Sequence, residues 1–344
     1  MSAETAPMTA DVNSAASEDA ANSGMATVYR EHEADLVVTA KDTVAEGVVT
    51  VTLSDPNGQE LPAWTPGAHI DLALTDSLSR QYSLCSSPTD RSAYRVGVLR
   101  DPNSRGGSDF VHDELHVGST VRVRGPRNHF PLAKASRYVF IAGGIGITPI
   151  LPMIEAIEAD HGNWTLLYGG RQRASMAFLD ELAEYKDKVR IQPEDEQGRL
   201  DLASVLGTPL TDTLIYTCGP EVLLNAIEES CSHWPTGSLR LERFKAKEQP
   251  VRTEPEQGFE VVFQRSGITT TVPPDKSVLE VAEEAGIFVL RSCMEGVCGT
   301  CEAEVIEGDI DHRDSVLTDE DREEGGVMMT CVSRCRSSRL ILDL

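Results

Sequence analysis

Three cysteines crowded into nine residues limit what the C-terminal part of this chain can become. In Cys293 to Cys301 (CMEGVCGTC) they stand at C-x4-C-x2-C spacing, and a fourth, Cys331, follows about thirty residues later. Three thiolates so close in sequence must converge on one small core, so the chain has to wrap it tightly. Gly296 and Gly299 permit a backbone course and an approach that a Cβ would obstruct. Three ligands in one loop and a fourth standing alone is the pattern of a [2Fe-2S] cluster, with Cys293, Cys298, Cys301 and Cys331 as its ligands. The alternatives are unrelated thiols or a zinc site, but zinc sites usually pair two short Cys/His spacings. A cluster moves electrons singly, so the remaining chain has to account for their source and their destination.

At 344 residues the chain suits two or three domains, and a hydrophobic content of 40% supplies cores for them. Of the eight cysteines, the four outside the cluster set (Cys85, Cys218, Cys231, Cys335) are scattered. That reads as a reducing, cytoplasmic setting and not as a disulfide framework. A net charge of −24 argues against nucleic acid and against an anionic membrane, and suits a basic protein surface as partner. No basic residue precedes Arg30, so no secretory signal is expected. The uncharged run from Tyr138 to Ile154 carries glycines and prolines and is short for a bilayer span.

Residues 1–30 are rich in Ala, Ser, Thr and Asn and read as a disordered tail, with Met25 an alternative start. Over 31–134, segments such as ADLVVTAKDTV, GVVTVTLSD, HIDLALT, YRVGVLR and TVRVRGP alternate β-branched residues between turns, which predicts an antiparallel β-barrel. Within it stand Arg80-Gln81-Tyr82-Ser83 and a glycine-rich Ser104-Arg105-Gly106-Gly107-Ser108. The latter precedes a predicted helix, DFVHDEL, with Ser108 or Asp109 as N-cap. Backbone N-H groups at such a turn plus an arginine can cradle phosphate, although a plain glycine turn looks the same. Over 135–245 the period changes. A buried strand (YVFIA), the turn Gly143-Gly144-Ile145-Gly146-Ile147-Thr148-Pro149, a helix (LPMIEAIEAD) and further strands at WTLLYGG and LIYTCG predict an α/β parallel-sheet nucleotide-binding domain. The turn is not the G-x-G-x-x-G of dinucleotide-binding Rossmann domains. Residues 246–257 read as a linker. Strands at FEVVFQ and GITTTVPP, a helix at SVLEVAEEAG capped by Ser277, and strands at CEAEVIEG and RLILDL fill 258–344.

These segments carry a resemblance. Arg80-x-Tyr82-Ser83, GGIGITP and Cys218-Gly219-Pro220 resemble the ferredoxin-NADP reductase superfamily. The RGGS segment, Glu242-x-Phe244 and the C-terminal β-grasp (α+β) ferredoxin order resemble the phthalate dioxygenase reductase and vanillate demethylase reductase family. The resemblance implies that Arg80 holds flavin phosphate, Tyr82 lies along the flavin and Ser83 bonds near N5. It further implies that Arg105, Gly106, Gly107 and Ser108 form the phosphate cradle, and that Phe244 covers one flavin face. Gly143, Gly144, Gly146, Thr148, Gly219 and Pro220 would line the nicotinamide cofactor, with Cys218 beside the nicotinamide and, with Ser83, at the catalytic centre. The family's flavin is FMN rather than FAD, and its donor chiefly NADH. Arg171 and Arg173, after the second strand, leave NADPH as an alternative, since arginine suits a 2′-phosphate.

The implied activity is that of an oxygenase-system reductase, an NADH-dependent flavin iron-sulfur oxidoreductase delivering electrons to a Rieske aromatic oxygenase or demethylase. A cytochrome P450 partner is equally compatible with the sequence, and an iron-sulfur redox sensor is a remoter alternative that leaves RQYSL, GGIGITP and CGP unused. Cys231-Ser232-His233 has the first half of a Rieske ligand pattern, but no C-x2-H pair follows.

Overall fold

The computed structural model describes residues 32–247 and 255–344. The expected tail, and residues 248–254 of the expected linker, lie outside the described residues. Among the described residues three large sheets and one two-stranded sheet are built within one unit, Glu31–Leu344.

The first sheet contains β1 (Glu33–Ala45), β2 (Val48–Ser54), β3 (His69–Thr75), β4 (Leu78–Ser83), β5 (Tyr94–Leu99) and β6 (Thr120–Arg127) in the order β4-β3-β6-β1-β2-β5. All neighbours are antiparallel. The sheet curls until its edges meet: Leu84 bridges Val96, and the Cys85 N-H donates to the Arg95 carbonyl at 2.8 Å. Closure removes the exposed edges that an open sheet would leave. Alternate residues such as Val38, Val51, Leu53, Ile70, Leu72, Val96 and Val123 point inward and form its core. The helix after the RGGS segment spans Gly107–Asp113, so both expected caps, Ser108 and Asp109, fall inside it. Its N-cap is Gly106 in the left-handed region (φ 86), and no side chain caps it. Ser108 Oγ instead accepts from the Asp101 N-H at 3.1 Å, so the hydroxyl is engaged by the preceding loop.

The second sheet is wholly parallel: β7 (Arg137–Gly143), β8 (Asn163–Gly170), β9 (Val189–Pro193), β10 (Thr213–Cys218) and β11 (Leu239–Glu242), in the order β11-β10-β7-β8-β9. The continuous apolar run of β7 has the reason expected of a central parallel strand. Tyr138, Phe140 and Ala142 pack on one face of the sheet, and Val139 and Ile141 on the other. The first of these cores also takes in Val48, Cys85 and Phe130, which belong to the barrel's strand and loops. Barrel and parallel sheet therefore share buried surface.

The third sheet holds β12 (Phe259–Phe263), β13 (Ile268–Val272), β14 (Glu302–Glu307), β16 (Val327–Met329) and β18 (Arg339–Leu342), in the order β13-β12-β18-β14-β16. β15 (Ile310–Asp311) and β17 (Arg334–Cys335) pair separately. Only the β12–β18 pair in the five-stranded sheet is parallel. The helix Val278–Glu284 starts at Ser277 with a capping box: the Glu280 N-H donates to Ser277 Oγ at 3.2 Å and the Ser277 N-H to Glu280 Oε2 at 2.8 Å. A cap of this kind stabilises a helix start by about 1 kcal/mol. The helix buries Val278, Leu279, Val281 and Ala282 and delivers the chain into the cysteine loop. Among the described residues no helix is long and apolar enough to cross a membrane.

Candidate functional site

Two turns meet at the carboxyl ends of the parallel strands, where open α/β sheets bind their ligands. One follows β7 and contains Gly143, Gly144 and Gly146; the other follows β10 and contains Cys218, Gly219 and Pro220. A Cβ on Gly146 would overlap the Cys218 carbonyl and lie 2.7 Å from the Gly219 nitrogen, and one on Gly143 would lie 2.7 Å from Pro220 Cδ. Glycine is required here for backbone contact. Thr148 is buried, its hydroxyl donating to the Ile145 carbonyl at 2.9 Å. Its methyl rests against β5, where a Cβ on Gly97 would lie 2.8 Å away. The threonine thus ties the turn to the barrel and has no hydroxyl hydrogen left for a cofactor.

The barrel places β4 against this corner. Cys218 and Glu242 are register partners at the ends of β10 and β11, and the Cys218 thiol donates to Glu242 Oε2 at 3.9 Å. The buried Ser83 hydroxyl stands near enough to the same carboxyl group to lower its proton affinity. Burial pushes Glu242 up to about 8, against the opposing pull of Cys218 and Ser83. Burial likewise raises the Cys218 thiol, and the adjoining Glu242 adds to that. At neutral pH the corner therefore presents a hydroxyl, a thiol and a protonated carboxyl, all uncharged. Such a set can hold and orient a flat heterocycle, and offers no anionic nucleophile. That suits hydride transfer, in which the two reactants need only be aligned.

Around β4 the other segments gather. Arg80 crosses Gly107, where a Cβ would overlap its side chain, and its Nη2 donates to the Arg105 carbonyl at 2.8 Å. Tyr82 packs against the barrel core. The RGGS turn and the Arg-x-Tyr-Ser strand are thus brought together. The Arg105 guanidinium, however, is engaged elsewhere, forking onto Glu295 of the cysteine loop, with Nη2 to Oε2 at 3.1 Å. Phe244, just beyond β11, is 42% exposed.

The cysteine loop runs from the helix to β14. Pairing of β14 with β16 puts Glu302 opposite Met329, and the Thr330 N-H and hydroxyl both donate to the Cys301 carbonyl, at 3.1 and 2.8 Å. This carries Cys331 back to the loop. Cys293 meets the thiols of Cys298 and Cys331, and Cys301 meets that of Cys331. Cys293 and Cys301 are held low, chiefly by those neighbouring S-H donors. Backbone N-H groups also aim at sulfur: Glu295 to Cys293 Sγ at 3.3 Å and Thr300 to Cys298 Sγ at 3.4 Å. Gly296 and Gly299 both take left-handed conformations (φ 70 and 71), as the tight wrap demands. Among the described residues no three metal-binding side chains surround a single ion. A two-iron core instead takes its ligands two to an iron, and four thiols with N-H donors behind them fit it.

Comparison with known proteins matches this layout. A 2Fe-2S iron-sulfur cluster binding domain matches residues 261–336, and an oxidoreductase NAD-binding domain matches residues 140–229. A solved phthalate dioxygenase reductase, described as a modular structure for electron transfer from pyridine nucleotides to [2Fe-2S], is 36% identical with a TM-score of 0.66, over 91% of this chain and 98% of that one. The chain belongs to the phthalate dioxygenase reductase family. Another relative, the toluene-4-sulfonate monooxygenase system reductase subunit of Comamonas testosteroni, is 42% identical over 90% of this chain and 98% of its own length. An intact type IV self-sufficient cytochrome P450 monooxygenase is 46% identical with a TM-score of 0.86, over 91% of this chain. This chain spans 41% of that monooxygenase.

As a member of the family, the protein is an oxidoreductase that binds NAD and a [2Fe-2S] cluster. Sequence reasoning missed Glu242. The Glu242-x-Phe244 segment was in view, but a glutamate ending a short strand carries no sign that its carboxyl will be enclosed by residues from two other strands. Arg173 also changes meaning. Its guanidinium is taken by Glu196, Nε to Oε1 at 2.9 Å and Nη2 to Oε2 at 2.7 Å, so acidic residues occupy the group that would grip a 2′-phosphate.

Proposed function

We propose that this chain is the reductase component of a Rieske-type aromatic oxygenase or demethylase, oxidising NADH, carrying FMN, and passing single electrons out through its cluster. The carrying observation is that β4 is a wall common to both sites. Ser83 on it stands beside the Glu242 carboxyl that the Cys218 thiol bonds, and Gln81 Nε2 donates to Ser292 Oγ at 3.2 Å, one residue before the first cluster cysteine. FMN, when bound, supplies the exchange between a two-electron hydride donor and a one-electron acceptor.

In this reading residues 31–134 are the flavin domain, 135–245 the nucleotide domain and 258–344 the ferredoxin domain. Arg80 and the Gly106-Gly107-Ser108 backbone hold the flavin phosphate, while Arg105 shares itself with Glu295. Tyr82 lies along the flavin, Ser83 holds a hydrogen bond near N5, and Phe244 covers a face. The Gly143-Gly144-Gly146 and Gly219-Pro220 turns admit the dinucleotide, and Cys218 excludes water beside the nicotinamide. Glu196 favours NADH over NADPH by occupying Arg173. The oxygenase partner is supported by the relatives' names as oxygenase-system reductases, and the net charge suits a basic docking face. A P450 acceptor is a second reading, favoured by the likeness to a self-sufficient P450 monooxygenase.

The test is NADH-dependent reduction of cytochrome c by purified holoprotein, with the released flavin identified by mass. Absence of turnover in protein loaded with flavin and cluster sinks the proposal. Supplying a purified Rieske oxygenase in one arm and a P450 in another separates the two acceptors.

A further inference from the structure

We infer that His129 is a positioning residue for the passage of electrons from the flavin site to the cluster. Its ring is the seat on which the Cys298–Cys301 segment rests, and His69 backs it from the strand facing Ser83. The inference rests on the flavin-to-cluster reading above.

Gly299 stands between two of the cluster cysteines, and its backbone lies so near the His129 imidazole that a Cβ would overlap the ring. The loop backbone rests on that ring. The backbone on either side of His129 is held in place. Asn128 donates from Nδ2 to Thr65 Oγ1 at 2.7 Å and to the Pro66 carbonyl at 3.0 Å, while its Oδ1 accepts the Phe130 N-H at 2.9 Å. Gly67, in the left-handed region (φ 95), is pressed onto the Phe130 carbonyl. Both neighbours of His129 are therefore pinned to the turn that leads into β3.

His69 opens β3, buried, with its ring centroid 6.0 Å from that of His129 and the planes at 31°. Its cross-strand partner is Ser83, and facing residues of an antiparallel pair share a face. Contacts thus run from Ser83 through His69 and His129 to Gly299. Nε2 of His69 has no hydrogen-bond partner among the described residues. A buried nitrogen left so is costly, and an apolar residue at this position would avoid that cost.

In electron terms, a bound flavin would take the hydride of NADH, two electrons with one proton, leaving NAD+; the two electrons would then pass one at a time to a bound cluster and on to the external acceptor, and the proton would be released to water. His129 gains and loses nothing; its part is geometric, holding the loop at the distance the electron must cross.

The experiment is anaerobic stopped flow of holoprotein against NADH, with cluster content, cluster EPR spectrum and midpoint potential measured in parallel. In His129→Ala the flavin should be reduced at the wild-type rate and the cluster potential should be unchanged. Cluster reduction should slow by about tenfold, and His129→Phe, which keeps a flat ring, should recover most of it. Cluster reduction at the wild-type rate in His129→Ala overturns the inference. So does a shifted potential, a chain that arrives without its cluster, or a phenylalanine variant as slow as alanine. If the wild type itself passes no electrons from flavin to cluster, the functional reading falls and this inference with it.

Discussion

The two sites that share β4 are held together by opposite physics. Around Ser83, Cys218 and Glu242 the groups are desolvated and neutral, and burial dominates their proton affinities. Along the seam with the cysteine loop the contacts are Gln81 to Ser292, the Arg105–Glu295 ion pair and the stacking of Gly299 on His129. Arg105 is 64% exposed and Glu295 30%. A corner for hydride transfer profits from excluding water and from backbone packed on backbone. A seam beside a cluster that must also meet an external partner uses contacts that water and salt can loosen.

The strongest attempt to break that contrast is Cys298→Ser. Loss of one of four thiolates should abolish the cluster while NADH still reduces the flavin, because neither Cys218 nor Glu242 bonds the loop. Surviving cluster absorbance would remove Cys298 from the ligand set, and a lost flavin reduction would mean the two regions are not separable.

Next in size is Gly146→Ala. Its methyl overlaps the Cys218 carbonyl, and forcing a Cβ into packed backbone should destabilise by about 1–3 kcal/mol. Flavin reduction by NADH should fall by about a hundredfold with an unchanged cluster EPR spectrum. Denaturant titration and single-turnover kinetics read both.

Glu242→Gln sharpens the electrostatic half of the comparison. With the folded carboxyl up at about 8 against an ordinary 4.5, the folded chain keeps a proton between those values that the unfolded chain has lost. This group's contribution is therefore most favourable below 4.5 and declines as pH rises through about 8. The amide should flatten that decline in melting temperature and remove the same inflection from the rate of flavin reduction. An inflection that persists assigns it to another group.

The smallest effect is expected for Glu295→Gln. A partly exposed ion pair contributes about 0.2–1 kcal/mol, so flavin-to-cluster transfer should slow only by about two- to fivefold at low salt. At high ionic strength the variant and the wild type should converge. A deficit independent of salt would mean that the seam is held by packing alone.

Much of the architecture was legible because its causes are local. Alternation marked the barrel strands, the continuous apolar run of β7 marked a parallel sheet, and Ser277 marked a helix start. The start of the Gly107–Asp113 helix was misjudged because Gly106 caps it with backbone conformation alone, while Ser108 turns to the Asp101 N-H. Arg105 and Arg173 read as phosphate grips since an arginine after a turn shows its charge in sequence, whereas its carboxylate partner does not.

By itself the sequence determined the cysteine spacing from which the cluster ligands are proposed, the order of the three large sheets and the membership of a reductase family, since each depends chiefly on residues near one another in the chain. Only the tertiary structure decided that Glu242 sits between Ser83 and Cys218, that Arg105 faces Glu295 190 positions away, and that His129 carries Gly299. These pairs meet because separate sheets pack together, and no periodicity or spacing along a chain encodes which of their faces will touch.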